Sequence, residues 1–141
     1  MKLKIFIDSD IILDLLAERI PFHRSAAALF SLIEKGKIEG FTSPIVFANL
    51  YYVLRKRLSG RETVDCLKRL KNLVHLLPVD GRTIELALGS SFGDFEDAIQ
   101  YFCAEQNGIK YLITRNKDDY HQAEIPILNA QELLAMLRTA D

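Results

Sequence analysis

An α/β domain, with a parallel sheet covered by helices on both faces, is the fold this sequence predicts. Short β-branched and aromatic runs alternate with longer segments of helical period through the whole chain. The chain has 141 residues, 49% of them hydrophobic and 26% charged, the balance of one soluble globular domain. No internal repeat, low-complexity tract or linker divides it, so one domain spanning residues 1–141 is expected.

Leu3-Lys4-Ile5-Phe6-Ile7 reads as a mostly buried strand. A helix should follow, break near Pro21, resume from about His23 to Lys35 and stop at Gly36. Glu39 to Thr42 predicts a short second strand. Ser43-Pro44 then supplies an N-cap and a proline at the first helical position. The helix it opens, Pro44 to Leu58, is apolar almost all round, which predicts extensive burial. Gly60 separates it from an amphipathic helix over Arg61 to Asn72, and Leu73 to Val79 is a strand candidate. Asp80 can cap a helix ending near Gly89. Asp94 opens another, whose Phe95, Ala98, Ile99, Phe102 and Cys103 share a face. Gly108 stops it. Tyr111 to Ile113 and Ile125 to Leu128 are the last strands, and Asn129 with Glu132 forms a capping box for a terminal helix.

Composition excludes several classes. No run approaches the ~20 apolar residues of a membrane span. The opening, basic then apolar, meets Asp8 and Asp10 too soon for a signal peptide. Cys66 and Cys103 form neither a disulfide framework nor a zinc pattern, and read as free thiols of a reducing, cytoplasmic compartment. The net charge of −1 gives no global attraction to nucleic acid. Between Arg55 and Lys71, however, Arg55, Lys56, Arg57, Arg61, Lys68, Arg69 and Lys71 face only Glu62 and Asp65. That excess suits either a phosphate track or a solvated helix face.

Ligands of open α/β sheets bind beyond the carboxyl ends of the strands. Three acidic or polar groups fall there. Asp8, with Ser9 and Asp10, follows the first strand. Asp94, Glu96 and Asp97 open a helix, where like charges three residues apart repel unless a cation lies between them. Thr114-Arg115-Asn116-Lys117-Asp118-Asp119-Tyr120 follows the fourth strand with hydroxyl, amide and carboxylate oxygens. Each has a plain alternative as a helix cap or a polar turn. Together they suit a hard divalent cation such as Mg²⁺ or Mn²⁺. His23, His75 and His121 show no metal-ligand spacing, and no Gly-rich phosphate loop or nucleophile motif is visible.

The order of these groups carries a resemblance. Ile5-Phe6-Ile7-Asp8-Ser9-Asp10, then Asp97-Ala98-Ile99 with Ala104, then Leu112-Ile113-Thr114-Arg115-Asn116 and Asp119-Tyr120 resemble the PIN-domain family over essentially the whole chain. The size is similar to that of the VapC-like toxin nucleases of toxin–antitoxin pairs. The resemblance implies a three-layer fold with a central parallel sheet of about five strands. It implies a Mg²⁺- or Mn²⁺-dependent endoribonuclease that leaves a 5′-phosphate, an RNA substrate, an antitoxin partner and a homodimer. It assigns Asp8, Asp97, Asn116 and Asp119 to catalysis, Asp8, Asp97, Asp94 and Asn116 to metal, and Thr114 and Ser9 to support. The departure is Asn49, which stands where the family usually places a glutamate; no Glu lies between Phe41 and Arg61. Its amide is read either as a supporting site residue or as a buried hydrogen-bonding group. Two other readings follow: a PIN-like module that binds RNA or a partner without cutting, and a haloacid-dehalogenase-like phosphatase built on Asp8-Ser9-Asp10 and Gly93-Asp94.

Overall fold

The computed structural model describes residues 2–120 and 122–139; His121 and the chain ends lie outside the described residues. The elements run β1 (Leu3–Ile7), α1 (Ser9–Leu16), α2 (His23–Glu34), β2 (Ile38–Thr42), α3 (Pro44–Leu54), α4 (Gly60–Leu73), β3 (Val74–Leu76), α5 (Gly81–Leu88), α6 (Phe95–Gln106), β4 (Leu112–Ile113), a 3₁₀ turn (Lys117–Tyr120), β5 (Ile127–Leu128) and α7 (Ala130–Thr139). All strand pairings are parallel, in the order β3-β2-β1-β4-β5. The chain adds strands to one side of β1 and then to the other. The crevice between β1 and β4 is therefore the point where the topology reverses and a ligand site is expected.

Both faces of the sheet are buried. Ile5 and Ile7 point into a core shared with α1, α2, α3, α4 and α7, while Phe6 points to the opposite core with Tyr101, Cys103 and Ala104 of α6. This is why β1 reads as continuous apolar sequence rather than an alternation. Gly40 brings α2 close to the sheet: a Cβ there would stand 2.9 Å from both Ile33 Cδ1 and Ile7 Cδ1. Gly36 (φ +74°) and Gly108 (φ +71°) stop their helices in the left-handed conformation that glycine adopts without cost.

Several element limits differ from expectation. β3 ends at Leu76 and β5 begins at Ile127, because Pro78 and Pro126 lack the N–H a strand donates. The larger correction concerns α3. It ends at Leu54, where Arg55 turns back and its Nη1 donates to the Leu58 carbonyl at 2.7 Å. Only Val46, Leu50 and Leu54 are buried, one stripe against α1 and α4, while Tyr52 is 71% exposed. Apolar sequence all round thus leaves an exposed apolar strip instead of a buried helix. Phe95 likewise lies at the first turn of α6, beyond the core, and is exposed. The caps at Asp8, Ser43, Asp80 and Asp94 form as expected, as does the Asn129–Glu132 capping box.

Candidate functional site

Asp8 leaves the carboxyl end of β1 and caps α1, its Oδ1 accepting the Ser9 N–H at 2.8 Å. Its backbone N–H is held by the Ile113 carbonyl of β4 at 3.0 Å, so Thr114 must stand alongside. Thr114 Oγ1 lies 3.1 Å from Asp8 Oδ2 and 3.1 Å from Asp10 Oδ2. Tyr120, folded back by the 3₁₀ turn and buried, sets its hydroxyl 3.0 Å from Asp8 Oδ2 and 3.3 Å from Asp97 Oδ1. Those two distances cap the separation of the Asp8 and Asp97 oxygens at about 6 Å.

The result is a chain of three carboxylates linked by two hydroxyls: Asp10, Thr114, Asp8, Tyr120, Asp97. It has four short oxygen–oxygen contacts and only two hydroxyl protons to fill them. Whatever the hydroxyl rotamers, two contacts need a further proton or stay repulsive.

Burial, then the Asp10 charge, pushes Asp8 up to about 6 against the Ser9, Tyr120 and Thr114 hydrogen bonds. Burial also raises Asp10, opposed by hydrogen bonds from the Arg115 N–H, Thr114 and the Ile11 N–H. Asp97 is pushed up to about 7 by burial and by the charges of Asp94, Asp8 and Asp119. The Tyr120 phenol is driven far above its ordinary range and stays a proton donor.

The other expected site residues are disposed as follows. Asp94 Oδ1 accepts the Asp97 N–H at 2.9 Å as the cap of α6. Asp94 and Asp119 lie near enough for their charges to act on Asp97. The Asn116 backbone N–H donates to Thr114 Oγ1 at 3.1 Å; among the described residues its side chain makes no hydrogen bond. Asn49 does not join the chain of carboxylates. Its Nδ2 donates to Glu96 Oε2 at 2.9 Å in an exposed contact, so it is not the buried interhelical amide that was one reading.

Tyr120, Arg115 and Glu96 stand inside the groups singled out in the sequence but without a role of their own, Tyr120 because its role depends on the turn; Asp14 is a participant the sequence groups do not include. Asp14 is 1% exposed and takes two hydrogen bonds from Arg115, Nε at 2.8 Å and Nη2 at 3.0 Å. The signal for it was available: a lone acid inside Ile11-Ile12-Leu13-Asp14-Leu15-Leu16 demands a buried partner. The phosphatase alternative loses its footing, since α5 and a loop, not a strand, precede Asp94.

Among the described residues, no three acidic, histidine or cysteine side chains are grouped tightly enough to clasp an ion unaided. The donor chemistry nevertheless fits a hard cation that keeps much of its water shell. It offers carboxylates that hold protons too readily, flanked by hydroxyl and amide oxygens, with no thiolate or imidazole among these groups.

Fold and site together define a doubly covered parallel α/β protein with an acidic cluster at its topological switch point. The chain belongs to the PIN-domain family, whose profile matches residues 4–118. It is similar to Ribonuclease VapC1 of Aquifex aeolicus, 25% identical over 134 residues that cover 92% of each chain. Among solved structures it resembles VapC20 of Mycobacterium tuberculosis, described as a Sarcin-Ricin loop cleaving toxin (TM-score 0.67, 21% identity, 84% of this chain and 94% of that one). It also resembles VapBC2 of Rickettsia felis bound to a promoter DNA fragment (TM-score 0.65, 15% identity, 90% and 98% covered). No helix among the described residues is long and apolar enough to cross a membrane.

Proposed function

We propose that this chain is a divalent-metal-dependent endoribonuclease, and the toxin of a toxin–antitoxin pair. The observation that carries the proposal is the Asp8–Tyr120–Asp97 bridge, a pair of crowded, raised carboxylates at the carboxyl ends of the central strands. Family membership supports the nuclease class. The names Ribonuclease VapC1, for the A. aeolicus relative, and VapBC, for the R. felis complex, support an RNA substrate and an antitoxin partner.

Asp8 and Asp97 would hold Mg²⁺ or Mn²⁺, with Asp94, Asn116 and Asp119 as outer oxygen donors. Such an ion supplies Lewis acidity and an activated water for attack on the phosphodiester, leaving a 5′-phosphate. The chain's own residues have separable tasks. Ser9 and Thr114 fix the two oxygens of Asp8, and Asp94 fixes the first turn from which Asp97 projects. Tyr120 holds a proton between the two carboxylates and limits their spread. The carboxylate absent at Asn49 is supplied at that edge by Glu96, which Asn49 holds. The exposed strip of α3 at Ala48 and Tyr52, one helical turn apart, is read as the contact of a homodimer.

The test is cleavage of single-stranded RNA by the purified chain with Mg²⁺ or Mn²⁺. Cleavage should stop with EDTA and in Asp97→Asn. Cleavage that persists in EDTA, or in Asp97→Asn, would overturn the proposal.

A further inference from the structure

A cavity of about 380 Å³ opens between α1, α2, the start of α7 and the loop after β4, at the small end of ligand pockets (~300–1,000 Å³). It adjoins the acidic chain through the backbone. The Arg115 N–H donates to Asp10 Oδ2 at 2.9 Å, and the Asn116 N–H donates to Thr114 Oγ1, the hydroxyl shared by Asp8 and Asp10. Whatever fills the cavity therefore sits beside the acidic cluster.

One wall is a fixed planar stack. The Arg115 guanidinium is clamped by both oxygens of buried Asp14 and lies 4.0 Å from the centre of the Phe22 ring. Asp14 neutralises the guanidinium, so this wall is a poor phosphate clamp. Phe22 remains 41% exposed, so part of the ring is open to a ligand. Apart from the Asp14–Arg115 pair, the polar lining is uncharged: Ser25, Asn116, Asn129 and Gln131. Among the described residues, the Ser25 hydroxyl and the Gln131 amide have no hydrogen-bond partner within the chain. A phosphate seeks free cations and backbone N–H groups. A flat aromatic surface beside uncommitted donors and acceptors is the complement of an unpaired nucleobase, which offers a π face and a hydrogen-bonding edge.

Resting on the ribonuclease reading above, we propose that this cavity receives an unpaired base of the RNA next to the scissile phosphate, stacked on Phe22 and read along its edge by Gln131 and Ser25. Phe22 and Gln131 are then specificity residues, outside the acidic cluster.

The experiment measures equilibrium binding of labelled single-stranded RNA homopolymers of each base, in EDTA, against a fully abasic ribose-phosphate chain of equal length. Cleavage with Mn²⁺ is followed separately. Phe22→Leu keeps apolar bulk and removes the stacking face. It should weaken binding of base-containing RNA by about 10-fold, the loss expected from one base–aromatic stack. Binding of the abasic chain should not change, and loss of the Arg115 stack should lower the melting temperature by no more than a few degrees. Gln131→Ala should alter the ranking of the four bases. If Phe22→Leu leaves the preference for base-containing RNA intact, or weakens both RNAs equally, the base pocket is overturned. The two readings fail separately. Base-dependent binding without Mn²⁺-dependent cleavage would remove the nuclease and keep the pocket; cleavage with no Phe22 effect would do the reverse.

Discussion

Replacing Asp8 by asparagine keeps the shape of the side chain, removes one charge and adds two protons. As a carboxylate, Asp8 Oδ2 faces Thr114 Oγ1 and Tyr120 Oη, whose single protons are also sought by Asp10 and Asp97. An amide nitrogen there can donate to both hydroxyls, freeing them to donate outward, so all four contacts become hydrogen bonds. The energetic scale follows from the carboxyl itself, raised from 3.8 to about 6 and only 7% exposed. Because the folded chain holds this proton more tightly than the unfolded one, the contribution to stability is present below pH 3.8. It declines as pH rises to about 6 and is lost above that. At one unit per 1.36 kcal/mol, ionised Asp8 costs the metal-free fold about 3 kcal/mol. Asp8→Asn should therefore stabilise the metal-free protein at pH 8, by up to about 3 kcal/mol or roughly 10 °C in melting temperature. RNA cleavage should be abolished in the same variant. Denaturant unfolding in EDTA at pH 4 and pH 8 measures this. A loss of stability at pH 8, or an equal gain at pH 4, would refute the reasoning.

Further outcomes follow from the same geometry. Tyr120→Phe removes the proton shared by Asp8 and Asp97 and should cost about 1.5–3 kcal/mol at pH 8, the worth of a hydrogen bond to a charged group. The cost should shrink toward pH 4 in urea unfolding, where the carboxyls carry their own protons. Gly40→Ala drives a Cβ against Ile33 and Ile7 and should cost about 1–3 kcal/mol without changing metal-dependent cleavage, read by melting and by kcat. Asn49→Glu breaks the bond to Glu96 and sets two carboxylates together. It should lower stability by about 1 kcal/mol or less, an effect that weakens with salt in melting curves. Tyr52→Glu should convert a dimer to monomers in sedimentation; an unchanged dimer would assign the contact elsewhere.

Much of this fold is legible in the sequence because its signals are local. Ser43-Pro44 starts α3, Gly36 and Gly108 end helices, and Asn129 with Glu132 caps α7, each through groups within a few residues. Strand order is not local. Nothing in Ile5-Phe6-Ile7 reveals that β4, rather than β3, lies against β1, yet that pairing brings Thr114 to Asp8. Periodicity is also a poor guide at α3: apolar residues all round predict burial, and Tyr52 is exposed. Strand-end position singles out Asp8 and Thr114, and the acidic helix start singles out Asp97; the structure brings Asp8 and Asp97 to one tyrosine hydroxyl. Tyr120 stands in the segment singled out, but its role is not legible there, because its hydroxyl reaches Asp8 only through the Lys117–Tyr120 turn. The partner of Asn49 is not legible in the sequence, because Glu96, which its amide holds, is 47 residues away.

The central claim is that the raised carboxylates Asp8 and Asp97 are the ligands of a divalent ion. Titration calorimetry of Mn²⁺ into the metal-free protein tests it, between pH 6 and 7, where both groups are partly protonated. The measurement is repeated in buffers of different ionisation enthalpy. Binding must displace those protons, so the observed heat should vary with the buffer and report net proton release, and Asp97→Asn should reduce both release and affinity. A heat of binding that is the same in every buffer, or that survives unchanged in Asp97→Asn, would contradict it.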